Sequence, residues 1–100
     1  MPDPLDEAIK ALAHPLRRQI LQWLKNPEQH FSDQHHSFEA GVCAGQIFKV
    51  SGLSQSSASA HLALLQKAGL IRCQKVGQWH FFQRDEAAIR ALLQQIGNNI

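Results

Sequence analysis

Two helical segments separated by a glycine turn constrain the fold of this chain more than any other feature. Residues Ala44–Ser51 place apolar side chains at helical spacing, and Gly52 follows them, where a left-handed backbone conformation ends a helix well. Ser54 is a good N-cap for a second helix, Gln55–Ala68, which Gly69 ends. This segment therefore predicts a helix–turn–helix.

A β-hairpin is predicted directly after these two helices. Leu70–Val76 and Trp79–Arg84 are rich in strand-forming residues, and Gly77-Gln78 between them suits a two-residue turn. Asp85 is expected to cap a last helix, whose final residues, 97–100, are expected to fray. The apolar residues of this last helix share one face: Ile89, Leu92, Leu93 and Ile96.

The N-terminal part predicts two further helices and a long loop. Apolar residues at i, i+3, i+4 and i+7 indicate the first helix: Leu5, Ala8, Ile9 and Leu12. Pro15 suits the first position of the second helix, with Arg17 and Arg18 on its outer side. The buried face of this second helix is expected to contain Leu16, Ile20, Trp23 and Leu24. The segment Glu28–Gly41 is polar and aperiodic, and it is predicted as a loop whose role the sequence does not give.

Together these elements predict a winged helix–turn–helix: a mainly α fold with a β-hairpin wing, five to six helices and two strands. The 100 residues are expected to form one domain, 1–100, because no linker or internal repeat divides them. A chain of this length buries only about 60–65% of its unfolded surface, so a second subunit would add stability. The first and last helices are the expected homodimer contacts.

Composition excludes several classes of protein. The longest apolar runs fall far short of the roughly 18 residues of a membrane span, so no membrane partner is expected. Acidic residues at positions 3, 6 and 7 stand where a signal peptide would be basic, which favours a cytoplasmic location. Two cysteines are too few for a disulfide scaffold. No nucleophile, base and orienting group stand together, so neither an enzyme nor a cofactor is expected.

The distribution of charge favours a polyanionic partner. The net charge is only +2, but no Asp or Glu occurs from Ala40 to Arg84. That segment contains five basic residues: Lys49, Lys67, Arg72, Lys75 and Arg84. Cations that neutralise phosphates release counterions, which favours binding to double-stranded DNA.

The second helix of the helix–turn–helix has two distinct faces on a helical wheel. One side gathers Ala58, His61, Leu62, Leu65 and Ala68. The other side is small and polar, and it contains Ser56, Ser59, Ala60, Ala63 and Lys67. Small side chains allow a helix to enter the major groove, which is about 12 Å wide, and Gln55 could pair with adenine. His61 borders the apolar side, which predicts a packed, hydrogen-bonded histidine rather than a DNA or metal ligand.

The hairpin is predicted to act as a wing on DNA. Arg72, Lys75 and Gln78 could reach phosphates or a minor groove. A purely structural role is the alternative, since Trp79, Phe81 and Phe82 indicate a partly buried strand with cations at its edge.

Two strings of residues resemble the arsenic-repressor (ArsR/SmtB) family of transcriptional regulators. LSQSSASAHLALLQKAGLI, at 53–71, resembles the recognition-helix signature of that family, and AIKALAHPLRRQILQWL, at 8–24, resembles its N-terminal motif. The resemblance covers nearly the whole chain and implies a homodimeric repressor of a palindromic DNA operator, paired through its first and last helices. By position it assigns the recognition helix to Ser54, Gln55, Ser56, Ser57, Ser59 and His61.

The chain departs from that family where metals and DNA are usually bound. Ala60 stands where an Arg or His contact to DNA is common. The family's two-cysteine metal motif aligns with GVCAGQI at 41–47, so that only Cys43 remains as a ligand. The last helix contains no histidine for the family's zinc site.

An inducer, whether small molecule or metal, is left unknown by the sequence. Cys43, at a helix start, is a candidate redox sensor, and the histidines of the 28–41 loop are candidate metal ligands: His30, His35 and His36. Cys73 alternates with apolar residues and is expected to be inert. Three alternatives to a plain DNA-binding repressor remain: a thiol- or metal-responsive repressor, a winged-helix module for protein–protein contact, and a Cys/His enzyme.

Overall fold

The computed structural model describes residues 3–100, and within them it shows six α-helices and three strands. The chain order is α1 (Pro4–Leu12), α2 (Pro15–Lys25), α3 (Pro27–His30), a 3-10 turn (Phe38–Ala40), β1 (Val42–Cys43), α4 (Ala44–Ser51), α5 (Gln55–Lys67), β2 (Ile71–Val76), β3 (Trp79–Arg84) and α6 (Glu86–Asn99). This confirms the predicted winged helix–turn–helix with a β2–β3 wing.

Local chemistry explains where the helices begin. Three of them start at a proline, whose missing N–H would be unpaired in the first turn: Pro4, Pro15 and Pro27. Asp3 Oδ1 accepts a hydrogen bond from the Leu5 N–H at 2.8 Å, and Asp85 Oδ1 accepts one from the Ala88 N–H at 3.0 Å. The predicted cap at Asp85 is therefore present.

Two arginines of α2 cap the end of the preceding helix. The wheel places Arg17 and Arg18 on the outer side of α2, but both side chains reach back to carbonyl oxygens at the C-terminus of α1. Arg17 Nε donates to the Ala11 oxygen at 2.6 Å, and Arg18 donates to the Leu12 oxygen. The last carbonyls of a helix have no partner within the helix and lie at its negative end, so a guanidinium there satisfies both needs.

One hydrophobic core holds the helices and the sheet together. It is built from faces of α1, α2, α4, α5, α6 and the sheet, and its most buried side chains are Ile20, Phe31, Val42, Ile47, Leu65 and Leu70. Within the described residues, no polar or charged side chain is buried in it. Every helix of residues 3–100 is too short or too polar to span a membrane.

The sheet has three strands rather than the two expected. Its order is β1-β3-β2, antiparallel throughout, with Val42 opposite Phe82 and Cys43 opposite Phe81. At two residues, β1 is too short to show a periodicity. The Gly77 backbone, at φ 61, makes the predicted turn between β2 and β3.

The segment 28–41 is more ordered than its polar sequence suggests, so the prediction of a plain loop is wrong in part. It contains α3, the 3-10 turn, and Phe31, which is only 1% exposed and belongs to the core. Gln34 ties the segment together: its Oε1 accepts from the Cys43 N–H at 2.8 Å, and its Nε2 donates to the Gly41 oxygen at 3.2 Å. His36 then covers the outer face of the sheet, with its ring centroid 5.3 Å from that of Phe81.

The last helix also differs from expectation. Fraying at 97–100 is wrong, because α6 continues to Asn99 and the Ile100 N–H bonds to the Ile96 oxygen at 3.2 Å. Its apolar stripe divides: Leu92 is 6% exposed and enters the core, whereas Leu93 is 62% exposed. Leu93 therefore faces away from the chain's own core.

Gly41 should not tolerate a side chain. Its φ is 112°, and a Cβ at this position would lie 2.4 Å from the carbonyl oxygen of Phe82. We expect Gly41→Ala to lower the free energy of unfolding by more than about 2 kcal/mol, as judged by urea denaturation. Gly45→Ala is the matched control, because it lies in α4 with no atom within 4 Å of the added Cβ, and it should be neutral or stabilising. Equal effects of the two substitutions would contradict this account.

Candidate nucleic-acid interface

The turn between α4 and α5 is fixed by short-range hydrogen bonds. Gly52 takes the left-handed conformation, with φ 69°, and its N–H donates to the Phe48 oxygen at 3.2 Å. Ser51 Oγ donates to the same oxygen at 3.0 Å and accepts from the Leu53 N–H at 3.2 Å. The turn between the two helices is therefore closed by the left-handed Gly52, as the sequence predicts, and by the Ser51 hydroxyl.

Ser54 organises the start of α5. Its Oγ accepts from the Ser57 N–H at 3.2 Å, which is the predicted N-cap, and its hydroxyl also lies 3.0 Å from Ser57 Oγ and 3.3 Å from Ser56 Oγ. Ser54 and Ser57 are exposed, but their hydroxyls are engaged with each other. The Gln55 side chain is exposed and makes no hydrogen bond within residues 3–100, so its amide is free for an external partner.

The two faces of α5 separate as the wheel predicts. Ala58 and Leu65 are fully buried and Leu62 is 2% exposed, so this face is fixed in the core. The opposite face lies in solvent and contains the predicted Ser56, Ser59, Ala60, Ala63 and Lys67, with Gln55 exposed at its N-terminal end. The side chains of this face are small or polar, and the apolar Leu64, which is 40% exposed, lies beside the face, toward α1.

The wing follows this helix in the chain, and the wing residues predicted to contact DNA lie at the surface. Lys75 and Gln78 are exposed near the tip, and Lys75 faces His80 across the hairpin. Arg72 is also exposed, but one guanidinium nitrogen donates to Gln83 Oε1 at 3.0 Å.

Folding neutralises part of the basic segment, which the sequence could not reveal. Lys49 pairs with Asp33 at 2.9 Å, and Lys67 lies 3.8 Å from Glu7. The Lys49 ammonium, by hydrogen bond and by charge, lowers the pKa of the Asp33 carboxyl. Arg84 pairs with Glu86 at 2.9 Å and donates to the Leu21 oxygen at 3.2 Å. Asp33 and Glu7 lie far along the chain from their partners, so no local pattern shows those two pairs, whereas Glu86 is only two positions from Arg84.

His61 occupies the predicted border position and is hydrogen-bonded. Its Nδ1 lies 3.1 Å from an Arg17 guanidinium nitrogen, and its ring centroid lies 4.6 Å from that of His14. Partial burial, together with the positive potential of His14 and Arg17, lowers the pKa of His61. Arg17 is 44 positions away in sequence, so no local pattern could have identified it as the partner.

The candidate sensor residues are only partly brought together. Cys43 is buried, and with His35, His36 and Trp79 it lines a cavity of about 240 Å³ between the 31–37 segment and the sheet. Within residues 3–100, no three His, Cys, Asp or Glu side chains are placed to hold a metal ion, so His30, His35 and His36 do not converge on one.

Cys73, expected to be an inert thiol, is half-buried. Its Sγ lies 3.7 Å from His80 Nδ1, and burial raises the pKa of its thiol. A raised thiol pKa lowers the thiolate fraction, which agrees with an unreactive cysteine.

Known proteins share both the sequence and the fold. The chain is 43% identical over 89 residues to an uncharacterized HTH-type transcriptional regulator, YbzH, of Bacillus subtilis (strain 168), covering 86% of this chain and 88% of the relative. No family model matches the chain. An ArsR family transcriptional regulator superposes with a TM-score of 0.74 at 20% identity, covering 99% of this chain and 89% of that one.

A further structure resembles the chain over almost its entire length. It is the solution structure of a homodimeric winged helix–turn–helix DNA-binding domain from Mycobacterium bovis, a possible ArsR-family transcriptional regulator. Its TM-score is 0.68 at 24% identity, with 97% of this chain and 80% of that chain covered. The fold and site thus define a winged helix–turn–helix transcriptional regulator. Within that class, the chain belongs to the HTH-type transcriptional regulators, as its identity to YbzH shows, and its fold is that of the ArsR family structure.

The N-cap of α5 should contribute measurably to the free energy of unfolding. Ser54→Ala removes the acceptor of the Ser57 N–H, and we expect it to lower the free energy of unfolding by about 1 kcal/mol. Ser59→Ala is the matched control: it lies on the exposed face within α5, where alanine is the better helix former, so a small gain is expected. Urea denaturation at one fixed protein concentration gives both values. A loss at Ser59 as large as that at Ser54 would contradict the capping role.

Proposed function

We propose that this chain is a homodimeric, sequence-specific DNA-binding regulator that acts as a repressor on a palindromic operator. In this proposal α5 is the recognition helix in the major groove, and the wing contacts the sugar–phosphate backbone or the adjacent minor groove. The observation that carries the proposal is the exposed face of α5: it contains no acid, and its central side chains are small. In this proposal the face binds DNA, and no catalytic step is assigned to the chain.

The shape of α5 supports groove entry. Ala60 and Ala63 project only a methyl group, and the serines of the same face add one hydroxyl each, so the helix backbone can approach base edges closely. Gln55 stands at the N-terminal end, where a recognition helix meets the bases, and its free amide can both donate to and accept from adenine. We assign base reading to Gln55, Ser56 and Ser59.

The electrostatics support phosphate contacts at two places. The N-terminus of α5 carries the positive end of the helix dipole, and its first turn contains no acid. Lys75 at the wing has no acidic partner within the described residues. Lys67 and Lys49 can bind phosphates only by giving up their ion pairs with Glu7 and Asp33. Their net contribution to the free energy of DNA binding should therefore be smaller.

The dimer proposal rests on apolar surface that the chain does not cover itself. Leu93 of α6 is 62% exposed and Ile9 of α1 is 47% exposed. Between these helices lies an apolar groove lined by Leu5, Ile9, Leu12, Ala13, Ile96, Asn99 and Ile100. The related domain from Mycobacterium bovis is described as homodimeric, which supports a second copy of the chain as the partner.

Base reading and phosphate binding should separate in two variants. Gln55→Ala should cost about 1–3 kcal/mol on a duplex selected from a random pool and much less on random DNA. Lys75→Ala should weaken both duplexes alike and reduce the salt slope by about one unit per contact. Fluorescence anisotropy between about 50 and 200 mM salt measures both. Salt-independent binding, or equal losses for Gln55→Ala on both duplexes, would contradict the assignment and favour a protein-binding module.

The dimer surface should be sensitive to charge at Leu93. Leu93→Glu together with Ile9→Glu places four carboxylates in the proposed two-fold interface, so we expect monomers by light scattering. Gln95→Glu is the control, because it adds the same charge to an exposed position on another side of α6. Leu92 is unsuitable for this test, since it lies in the core and its substitution would unfold the chain. An unchanged dimer mass for the double variant would rule out this interface.

A further inference from the structure

One arginine connects the α1 helix, which carries the proposed dimer surface, to the recognition helix. Arg17 Nε donates to the Ala11 oxygen at 2.6 Å, and one of its terminal nitrogens donates to the Lys10 oxygen at 3.1 Å. The other terminal nitrogen lies 3.1 Å from His61 Nδ1 on α5. A planar guanidinium presents its donors in a fixed fork, so these three contacts hold α5 at one orientation to the end of α1.

The chemistry of this contact fixes the protonation state of His61. A guanidinium can only donate hydrogen bonds, so Nδ1 of His61 must be the acceptor and the ring must be neutral, with its proton on Nε2. A protonated imidazole carries N–H groups at both positions and cannot accept from Arg17. Protonation therefore removes the hydrogen bond and places a cation 3.1 Å from another cation.

The surroundings of His61 oppose its protonation. Partial burial is the largest cause and the positive charges of His14 and Arg17 add to it, so the pKa of His61 lies below its ordinary value of 6.5. On α1, Glu7 is turned to Lys67 of α5, 3.8 Å away. The remaining charged side chains of the elements that pack on α5 are Asp6 and Lys10 on α1, Arg18 and Lys25 on α2, Lys49 on α4, and Arg72 and Lys75 on β2. All but Asp6 are cations. Asp6 is exposed and is not among the groups that shift the pKa of His61, so no acid offsets the charges of His14 and Arg17.

We propose that Arg17 and neutral His61 form a positioning contact for DNA recognition, which acidification releases. The proposal rests on the DNA-binding function above and adds a regulation to it. The other side of α1 carries Ile9 and lines the proposed dimer groove, so the angle between α1 and α5 sets how the two recognition helices of a dimer are spaced. Two half-sites on one face of DNA must lie about one helical turn apart. A dimer whose α5 helices are held less firmly should therefore lose affinity for its specific site before it loses affinity for random DNA.

The affinity of the protein for random DNA should change with pH in a different way from its affinity for an operator. Non-specific binding depends on positive charge near phosphates and not on the orientation of α5, and protonation of histidines only adds to that charge. The signature of the contact is therefore a fall in the ratio of specific to random affinity as the pH drops. Because the folded pKa of His61 is lowered, its neutral form contributes stability fully above about pH 6.5, and this contribution is lost as the pH falls through the folded value.

The test compares a selected duplex with a scrambled one by anisotropy, using the full chain at about pH 7.5 and about pH 5.5. For the native protein we expect the specific-to-random ratio to fall about fivefold or more at the lower pH. His61→Asn keeps an acceptor close to the position of Nδ1 but does not titrate, so its ratio should stay high and independent of pH. His30→Asn is the matched control on an exposed histidine of α3, and it should keep the native pH response.

A second variant separates positioning from packing. His61→Leu preserves bulk but offers Arg17 no acceptor, so its ratio should be low at both pH values, while its binding to random DNA stays near the native level. A native ratio that does not change with pH, or a His61→Asn variant that keeps the native pH response, would overturn the proposal. Absence of binding to any duplex at about pH 7.5 would instead refute the DNA-binding function itself.

Discussion

The burial of one face of α5 is the constraint on which the rest of the structure depends. Ala58, Leu62 and Leu65 are buried almost completely against α1, α2, α4 and β2. Burying a leucine side chain contributes roughly 1.5–3 kcal/mol, so the rotation of α5 about its axis is fixed by several such contacts. The small polar residues of the opposite face are then obliged to face solvent, and the surface proposed to enter DNA follows from this packing.

Electrostatics play two separate roles around that helix. Close to the core, Arg17 and Arg18 satisfy the last carbonyls of α1, which no residue of α1 itself can reach. Further out, Asp33, Glu7 and Glu86 pair with cations of the acid-free segment, so the folded protein presents a smaller positive surface than the sequence alone suggests. The pairs made by the exposed Lys49 and Lys67 are weak, at about 0–1 kcal/mol each, and phosphates could displace them. The Arg84 side chain is mostly buried, so its pair is not of this kind. The wing, and Lys75 in particular, is left as the most available cationic element.

The parts of the fold that sequence predicted are those governed by short-range rules. The Gly52 turn, the Ser54 and Asp85 caps and the Gly77 turn depend on residues within four positions of one another, and all are present. The structure of the segment 28–41 could not be predicted in the same way. Phe31 is an isolated core residue without a periodic neighbour, and Gln34 holds the segment by a hydrogen bond to a strand only two residues long. Neither helical nor strand periodicity carries information about such a segment.

The sequence by itself determined the order of the elements, the two faces of α5 and the residues proposed to meet DNA, because apolar periodicity and capping are local properties of a chain. Only the tertiary structure decided which cations remain unpaired, that Leu92 enters the core while Leu93 stays outside, and that Arg17 meets His61 across 44 positions. These outcomes depend on how whole elements pack, and packing brings together residues whose separation along the chain leaves no periodic trace.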